Sequence, residues 1–484
     1  MDIIDSIYNP ETFRQAGHRL VDQLTDYLLA AREGRIPVLP EPAPPTLADR
    51  YQQAPPMEPA PDALKCLGQH VQELFEQGIH LQHPGYLGHQ VGAPVPAASL
   101  AELVAGVFNQ SMAVYEMSPS ATHIERQTAR WLCNLVGWGK EADGAFTSGG
   151  SLGNLTALLV ARNHASRGVA WEKGVRSGPP LAFLVSEQAH YSVARAASIL
   201  GLGQENVLRV PVDRHFRVDT AALAECYRAA VAQGKKVAAV VASAGTTATG
   251  SFDPLRKIGE FCRAQGVWFH VDGAHGASVL LSPTYRSLAD GIELADSVIW
   301  DAHKMLFMPG LATALLFRSG SNGYEAFSQE ASYLFGRHAF PEYDLGLRTV
   351  ECTRPMQAWK LWLSFHLYGT CGLGAMVTQK LDLARAFAAQ IQAQPDFELL
   401  VEPMCNILCF RHIPRGAKKE GLSVALLNEH QAKIRQRVLA SRKFFLVQTR
   451  IGEALYLRCT LMNPHTTEQD LTRLLELIRN CAAG

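Results

Sequence analysis

The 484-residue sequence predicts an α/β fold with a mostly parallel central sheet and a small C-terminal α+β domain. From about residue 140, short apolar runs alternate with helical segments, which is typical of parallel strands covered by helices on both faces. After residue 393 the pattern changes to strands with flanking helices, which indicates the α+β domain. The hydrophobic content of 47% and the charged content of 19% fit a globular protein with a large core.

The N-terminal segment combines an amphipathic helix with a proline-rich stretch. Apolar residues such as Phe13, Leu20 and Leu24 recur at helical spacing between residues 11 and 32, so this helix needs a partner surface. Residues 37–61 are rich in proline, which disfavours both helix and central strand. We therefore expect an extended arm that carries the first helix away from the main body.

Six apolar runs predict the strands of the central sheet. They lie at residues 181–185, 207–210, 237–241, 267–271, 297–300 and 313–317, with helices expected at 219–232 and 253–265. Ligands of such sheets bind beyond the carboxyl ends of the strands. Polar residues follow four of the predicted strands, at 186–190, 243–247, 272–275 and 301–304. These segments are the candidates for a functional site.

The C-terminal part begins after a long predicted helical stretch from 354 to about 393. Four further strands and two helices are predicted there, at 397–401, 406–410, 422–441 (helix), 444–448, 455–459 and the C-terminus (helix). The sequence thus predicts three parts: an N-terminal helix and arm over residues 1–85, a large domain over 86–385 and a small domain over 386–484.

Charge and cysteine usage narrow the class of protein. The 45 basic and 45 acidic side chains give zero formal net charge, so no nucleic-acid or anionic-membrane partner is expected. No apolar run approaches the roughly 20 residues of a membrane helix. The N-terminus lacks the pattern of a signal peptide. The ten cysteines contain no C-x-x-C pair and are expected to be reduced thiols, which favours a cytoplasmic protein without a metal.

A lysine and an aspartate stand out because each follows a predicted strand. Lys304 ends the segment Asp301-Ala-His-Lys, and Asp272 ends the run Trp268-Phe-His-Val-Asp. A desolvated amine is a good nucleophile towards an aldehyde, and a carboxylate keeps a pyridine nitrogen protonated. The pair predicts pyridoxal 5'-phosphate (PLP), with Lys304 holding the aldehyde as a Schiff base and Asp272 facing the ring nitrogen.

Each of these residues has another interpretation when it is taken alone. Lys304 fits a surface lysine after an edge strand, and Asp272 fits a carboxylate that caps a helix. His270, Asp272 and His275 are also metal-ligand types, although a metal site leaves Lys304 unexplained.

Three further segments supply groups that suit the cofactor. The turn Thr147-Ser-Gly-Gly-Ser-Leu-Gly-Asn154 opens a helix, and helix N-termini bind phosphate. The imidazole of His190 is suited to stack on the pyridine ring and to exchange protons with the substrate carbon, unless it caps the following helix. Thr246 is placed to hydrogen-bond the ring or a substrate carboxylate, unless it serves a turn. The methyl group of Ala274 is placed to lie against the other ring face.

These segments, in this order, resemble the group II PLP-dependent amino-acid decarboxylases. The resemblance runs from about His83-Pro84 to Asn463-Pro464. It implies the type I, aspartate-aminotransferase-like fold of PLP-dependent transferases. It also implies a homodimer with active sites at the subunit interface, in which the N-terminal helix and arm wrap the partner subunit.

The resemblance carries roles to individual positions. It implies that Lys304 forms the Schiff base, that Asp272 pairs with the pyridine nitrogen, and that His190 and Ala274 lie on the two ring faces. The phosphate would be bound by Gly150, Ser151 and His303, with Thr246 near a cofactor oxygen. Arg458 matches an arginine that pairs with the substrate carboxylate, and His89 falls in the substrate pocket.

Two departures from the family pattern concern the same site. Members usually read Asn-Pro-His-Lys where this chain reads Asp301-Ala-His-Lys, so an extra carboxylate is present. The mobile loop after Tyr333 often carries a tyrosine that protonates the substrate carbanion. In this chain Phe340 lies nearer that position, Tyr343 matches a different tyrosine, and His338 is a possible substitute.

The expected function is PLP-dependent decarboxylation of an L-amino acid to its amine. The segments Tyr115-Glu-Met-Ser-Pro119 and Glu351-Cys-Thr-Arg354 favour the glutamate and cysteine-sulfinate branch, so a polar or acidic substrate such as aspartate, glutamate or cysteine sulfinate is expected, or diaminobutyrate. The alternatives are an aromatic amino-acid decarboxylase, an aldehyde synthase that couples decarboxylation to oxidative deamination, and a non-enzymatic metal-binding protein.

Overall fold

The computed structural model describes residues 3–40, 44–52, 54–327, 341–414 and 422–483. The chain divides into two compact units. The terminal unit comprises Met1–His89, Ala389–Leu400 and Cys409–Gly484, and the sheet unit comprises Gln90–Ala388 and Val401–Leu408. The N-terminal segment therefore shares a unit with the C-terminal part of the chain.

The sheet unit is built on a seven-stranded sheet within the described residues. The strands are β1 (Asp143–Thr147), β2 (Leu181–Ser186), β3 (Val207–Val210), β4 (Lys236–Ser243), β5 (Trp268–Asp272), β6 (Ser297–Asp301) and β7 (Thr313–Phe317). Their order is β1-β7-β6-β5-β4-β2-β3. The five adjacent strands β6, β5, β4, β2 and β3 are parallel. Strand β7 runs antiparallel to both of its neighbours, β6 and β1. The predicted mostly parallel sheet is confirmed.

Strand β1 was missing from the prediction, and its composition explains why. Its sequence, Asp143-Gly-Ala-Phe-Thr147, contains one large apolar residue, yet all five residues are buried. Gly144 is required by the close approach of β7, since a Cβ there would lie 2.5 Å from the carbonyl oxygen of Leu315. The contact with β7 therefore requires a glycine at position 144. Because the strand shows no apolar periodicity, the sequence did not indicate it.

Helices cover the sheet and build the flanking segments. Those up to residue 392 are α1 (Ile3–Ile7), α2 (Pro10–Arg32), α3 (Pro44–Tyr51), α4 (Ala63–Gln77), α5 (Pro96–Phe108), α6 (Pro119–Val136), α7 (Gly150–Ser166), α8 (Val169–Glu172), α9 (Tyr191–Ile199), α10 (Thr220–Ala232), α11 (Leu255–Gln265), α12 (Ser321–Ala326) and α13 (Ala358–Gln392). Two more follow among the described residues, Val424–Ala440 and Glu468–Ala483. Short 3-10 helices occur at Tyr115–Met117, Val175–Ser177, Gln204–Asn206, Gly276–Leu281, Arg286–Ala289, Ile292–Leu294, Pro341–Tyr343 and Leu345–Arg348. In α13, Gly369 interrupts the helical geometry with a φ of 64°.

The prediction of an extended proline-rich arm is wrong for residues 44–51, which form α3. Both prolines of this helix, Pro44 and Pro45, occupy its first turn. The N–H groups of a first turn have no intrahelical partner, so proline is tolerated there and its fixed φ suits the helix. Proline content alone was therefore a poor guide to this segment.

The terminal unit is centred on a second sheet. Its strands are β8 (Phe397–Leu399), β9 (Ile407–His412), β10 (Val447–Ile451) and β11 (Ala454–Thr460), in the order β10-β11-β9-β8. The N-terminal segment hydrogen-bonds to this part of the chain: the N–H of Leu87 donates to the oxygen of Phe445 at 2.8 Å, and the N–H of Thr460 donates to the oxygen of Leu87 at 2.8 Å.

Helix α2 packs on α4 but keeps part of its apolar surface exposed. Tyr27 stacks on Phe75 with ring centroids 4.3 Å apart, and Gln23 donates to the oxygen of Gly68 at 3.0 Å. Phe13 is 55% exposed and Leu24 is 38% exposed. The amphipathic helix predicted at residues 11–32 is thus present, and α4 covers only part of it.

Asp253 ties the carboxyl end of β4 to a neighbouring turn. Its Oδ2 accepts the N–H of Ser243 at 2.7 Å and its Oδ1 accepts the N–H of Val218 at 2.7 Å. The side chain is buried, so both N–H groups depend on these oxygens. The carboxylate thereby fixes the end of a strand whose last residue lines the candidate site described below.

We predict that Asp253→Asn lowers the free energy of unfolding by about 1–3 kcal/mol, because an amide has one acceptor oxygen and leaves one buried N–H without a partner. Asp219→Asn is the matched control. Asp219 also accepts two N–H groups, but through a single oxygen that asparagine keeps. Urea denaturation of both variants measures the difference. Equal losses in the two variants would contradict the assigned role of Asp253.

We also predict that acidification destabilises the fold between about pH 6.5 and pH 4. Burial lowers the pKa of His270 to about 4 and that of His412 to about 4, from the ordinary 6.5. The unfolded chain thus takes up these protons first, and the stability that both residues contribute above pH 6.5 is lost as the pH falls towards 4. Urea denaturation at a series of pH values measures this slope. His412→Gln should reduce it, and an unchanged slope would count against the assignment.

Candidate active site

The parallel pairing of three strands brings polar residues to one edge of the sheet. Ser243 at the end of β4 pairs with Asp272 at the end of β5, and Asp272 pairs with Ile299 of β6. Beyond these ends lies a cavity of about 290 Å³. Its lining includes all eight residues predicted to hold a cofactor: Gly150, Ser151, His190, Thr246, Asp272, Ala274, His303 and Lys304. Their individual roles remain predictions.

The glycine turn places the N-terminus of α7 at the wall of this cavity. Gly149 has a φ of 99°, a conformation that side chains rarely adopt. A Cβ on Gly150 would lie 2.9 Å from Oδ2 of Asp301, so the backbone needs the absence of a side chain here. The first N–H groups of a helix have no intrahelical partner and carry a partial positive charge. This arrangement fits a phosphate group.

Asp272 is positioned by two hydrogen bonds and is 7% exposed. Asn154 donates through Nδ2 to Oδ2 of Asp272 at 3.0 Å. The N–H of Ala274 donates to Oδ1 of Asp272 at 3.2 Å, so the carboxylate also caps the turn that follows β5. Capping and a cofactor role are compatible, because a carboxylate accepts several hydrogen bonds. The pocket position of Asp272 fits a protonated ring nitrogen.

The histidines that suggested a metal site are engaged in other contacts. Nδ1 of His270 lies 2.8 Å from Oγ of Ser297, and Nε2 lies 2.9 Å from Oδ1 of Asn154. Nε2 of His275 lies 2.7 Å from Oδ1 of Asn406. Over the described ranges, no group of three or more His, Cys, Asp or Glu residues is arranged to hold a metal ion.

Lys304 forms an ion pair with the atypical Asp301. Its Nζ lies 3.0 Å from Oδ2 of Asp301, whose side chain is 2% exposed. Nε2 of His303 lies 3.5 Å from the same oxygen, and Oγ1 of Thr313 donates to Oδ1 at 2.5 Å. A buried carboxylate is stable only when it is paired and hydrogen-bonded. The extra carboxylate in the motif is therefore compensated by the lysine that the motif supplies.

His190 is both the N-cap of α9 and part of the cavity lining. Its Nδ1 accepts the N–H of Ser192 at 3.4 Å and lies 2.8 Å from Oγ of Ser192. Burial lowers the pKa of His190, against the opposing effect of the charge on Asp272. The capping interpretation is thus confirmed for Nδ1, while the ring still lines the cavity.

Thr246 lies in a buried network of hydroxyl groups. Its Oγ1 lies 3.0 Å from Oγ1 of Thr249 and accepts the N–H of Ser251 at 3.1 Å. The threonine therefore serves its turn as well as lining the cavity. The turn interpretation of Thr246 is confirmed, and its contact with a cofactor or substrate stays a prediction.

The two predicted substrate residues, His89 and Arg458, belong to the terminal unit. His89 packs near Phe445, with ring centroids 5.8 Å apart. The pKa of His89 is lowered, chiefly by burial and then by the positive charges of Arg458 and Arg435. Arg458 lies on β11 and is 5% exposed. Their contact with a substrate remains a prediction.

Sequence reasoning gave no role to several polar residues of the site. Asn154 closed the quoted glycine turn, yet nothing in the sequence linked it to Asp272, and Ser192 was not linked to His190. Ser148, which lines the cavity, donates through its N–H to Oε2 of Glu351 at 3.2 Å, and Gln357 donates to its Oγ at 3.1 Å. These contacts join segments about 200 residues apart, so no local pattern signals them.

Of the loop residues considered for proton transfer, the structure describes Tyr343. Tyr343 packs in an aromatic cluster with Tyr115 and His123, and the guanidinium of Arg126 lies 4.3 Å from the centre of its ring. Tyr333, His338 and Phe340 lie outside the described residues.

Comparison with known proteins identifies the family of this chain. The model of the pyridoxal-dependent decarboxylase conserved domain matches residues 50–413. The chain is 33% identical to human acidic amino acid decarboxylase GADL1, covering 84% of this chain and 79% of that protein. It is 33% identical to aspartate 1-decarboxylase of Aliivibrio fischeri, covering 88% of this chain and 85% of that protein.

A solved structure extends the likeness to the whole fold. The crystal structure of mouse CSAD superposes with a TM-score of 0.91 at 27% identity, covering 98% of this chain and 99% of that chain. The predicted type I fold and the predicted cofactor, PLP, are confirmed, as is the prediction of an amino-acid decarboxylase. The chain belongs to the pyridoxal-dependent decarboxylase family.

Proposed function

We propose that this protein decarboxylates an acidic L-amino acid, with PLP held in the cavity at the carboxyl ends of β4, β5 and β6. The observation that carries the proposal is the convergence of three groups in one cavity. These are the amine of Lys304, the carboxylate of Asp272 and the glycine turn at the start of α7. An amine for the aldehyde, an anion for the pyridine nitrogen and N–H donors for the phosphate match the three ends of PLP.

In this proposal five residues of the cavity divide three tasks. Gly150, Ser151 and His303 would bind the phosphate, and Asp272 would keep the ring nitrogen protonated. Bound PLP would supply the electron withdrawal that lets the α-carboxylate leave as carbon dioxide. Lys304 would provide the amine that holds the cofactor.

The same proposal gives His190 and Ala274 the two faces of the ring. A neutral imidazole is suited to the stacking position, since it adds no positive charge beside the protonated pyridine. Burial lowers the pKa of His190, which favours this neutral form.

The choice of an acidic substrate is supported by the relatives. They include an acidic amino acid decarboxylase, a cysteine sulfinic acid decarboxylase and an aspartate 1-decarboxylase. The guanidinium of Arg458 suits the carboxylate that every amino-acid substrate carries.

We predict that Lys304→Ala lowers decarboxylation by roughly 10³-fold or more, because the amine that attaches the cofactor is lost. Lys236→Ala is the matched control, since Lys236 lies at the amino end of β4 and donates to the oxygen of Ala165. Borohydride reduction of the wild type followed by peptide mass mapping should place a pyridoxyl group on Lys304. A pyridoxyl group on any other lysine would overturn the assignment.

We predict that an amine-release screen with added PLP detects turnover of aspartate, glutamate or cysteine sulfinate in preference to 2,4-diaminobutyrate and aromatic amino acids. Arg458→Met should raise the KM for the preferred acid more than it lowers kcat, since it removes a binding charge. Preference for diaminobutyrate would refute the acidic substrate and leave decarboxylation standing. Aldehyde, ammonia and peroxide in place of amine would identify an aldehyde synthase instead.

We further propose that the protein is a homodimer. Helix α5 leaves five apolar residues exposed at helical spacing: Leu100, Leu103, Val104, Val107 and Phe108, each between 47% and 65% exposed. An exposed stripe at positions i, i+3, i+4, i+7 and i+8 is the pattern of a helix that packs against a partner. The exposed apolar residues of α1 and α2 supply a further surface of the same kind.

Val107→Asp should weaken this association, because it introduces a charge into the apolar stripe. Ile199→Asp is the control, since Ile199 is 63% exposed on α9 and lies outside the stripe. Sedimentation velocity is expected to show a dimer for the wild type and for the control, and a monomer for Val107→Asp. A monomeric wild type would refute the proposal.

A cytoplasmic location is proposed on the state of the thiols. All ten cysteines lie in the described residues, and none of them forms a disulfide. Five of them, Cys133, Cys262, Cys405, Cys409 and Cys459, are buried. Reduced thiols are typical of a reducing compartment. Within the described parts of the chain, none of the helices is both long and apolar enough to cross a membrane.

A further inference from the structure

A chain of buried hydrogen bonds leads from Trp268 to the carboxylate of Asp272. Nε1 of Trp268 lies 2.9 Å from Oγ of Ser297, which lies 2.8 Å from Nδ1 of His270. Nε2 of His270 lies 2.9 Å from Oδ1 of Asn154, whose Nδ2 lies 3.0 Å from Oδ2 of Asp272. Every member of this chain is at most 7% exposed.

The direction of the chain follows from its first member. An indole nitrogen only donates, so Oγ of Ser297 accepts from Trp268 and its own proton is free to point to Nδ1 of His270. Burial lowers the pKa of His270 to about 4, so the ring is neutral near pH 7 and carries its proton on Nε2. That proton is donated to Oδ1 of Asn154. The amide nitrogen of Asn154 is consequently turned towards Asp272.

The hydrogen-bond chain has a second branch, which leads from Asn154 to His190. Nδ2 of Asn154 also lies 2.9 Å from Oγ of Ser192, and this oxygen lies 2.8 Å from Nδ1 of His190. Since the amide donates to Ser192, the hydroxyl proton of Ser192 is free for Nδ1. The backbone N–H of Ser192 also donates to Nδ1, at 3.4 Å. The backbone N–H of Ser192 requires Nδ1 of His190 to be an acceptor, and the hydroxyl contact is consistent with this role.

We propose that Asn154 and Ser192 are positioning residues that set two groups of the active site at once. Through them, the ring of His190 carries its proton on Nε2, and an amide donor orients the carboxylate of Asp272. The proposal deepens the proposed function and rests on it for the roles of His190 and Asp272, although the proton positions can be measured without turnover.

The position of this proton determines whether Nε2 of His190 donates or accepts a hydrogen bond. With the proton fixed on Nε2, the neutral imidazole presents a hydrogen-bond donor beyond the N-cap contact, and no lone pair. It is therefore suited to donate to an anionic oxygen or to give up its proton. It is not suited to remove a proton from a substrate.

The test is NMR of protein labelled with ¹⁵N-histidine, near neutral pH, with the ring signals of His190 identified by their loss in His190→Gln. In the wild type, we expect a protonated Nε2 and an unprotonated Nδ1. Ser192→Ala removes the hydroxyl that donates to Nδ1, so a proton appears on Nδ1 in part of the His190 rings. Ser198→Ala is the matched control, since Ser198 lies on the same helix as Ser192 and donates to the oxygen of Ala194 at 3.2 Å. It should leave the ring signals unchanged.

A second pair of variants tests the far end of the chain. Ser297 and Ser278 are both fully buried, and each accepts an indole N–H at 2.9 Å. Ser297→Ala should shift the Nδ1 and Nε2 signals of His270, because the hydroxyl that holds Nδ1 as acceptor is lost. Ser278→Ala should leave them in place.

The outcomes separate this inference from the proposed function. A wild-type His190 with its proton on Nδ1, or a Ser192→Ala variant whose His190 signals match the wild type, would overturn the inference even if amine is produced. The predicted proton positions in a protein that releases no amine from any amino acid would refute the proposed function and leave the hydrogen-bond chain intact.

Discussion

The pairing of β5 with its parallel neighbours is the constraint on which the rest of the site depends. Parallel strands end at the same edge of a sheet, so the register that pairs Ser243 with Asp272 also brings the end of β6 alongside. Asp301 and Lys304 follow β6, and the glycine turn reaches the same edge after β1. A shift of one residue in β5 would turn Asp272 to the other face of the sheet. All five residues of β5 are buried, and this packing holds Asp272 at the cavity.

Burying two carboxylates at one edge requires compensation, and the structure supplies it in two different ways. Asp301 is matched by a charge, the ammonium of Lys304, and by the hydroxyl of Thr313. Asp272 is held by neutral donors, the amide of Asn154 and the N–H of Ala274. This difference suits the proposed tasks. A carboxylate without a resident cation remains available for a protonated ring nitrogen, whereas a carboxylate paired with Lys304 lowers the cost of burying the amine.

The sequence was sufficient for features that local patterns encode. Apolar runs located strands β2 to β7 within one or two residues, and their polar ends located the cofactor cavity, because strand burial and the parallel arrangement leave a direct signature. Features set by contacts between distant segments escaped. Strand β1 needs a glycine because β7 lies so close to it. Helix α3 begins at two prolines, and a proline-rich composition by itself predicts an extended segment. Asn154 hydrogen-bonds Asp272, which is 118 residues away in the sequence. The substrate residues were inferred from resemblance, which gives positions without giving contacts.

In the proposed function, one edge of the sheet holds PLP between Lys304 and Asp272. A crystal structure of the protein grown with PLP tests this placement most directly. We expect continuous electron density from Nζ of Lys304 to the cofactor, the ring nitrogen within hydrogen-bond distance of a carboxylate oxygen of Asp272, and the phosphate at the N-terminus of α7. A cofactor bound elsewhere, or one whose ring nitrogen faces away from Asp272, would contradict it.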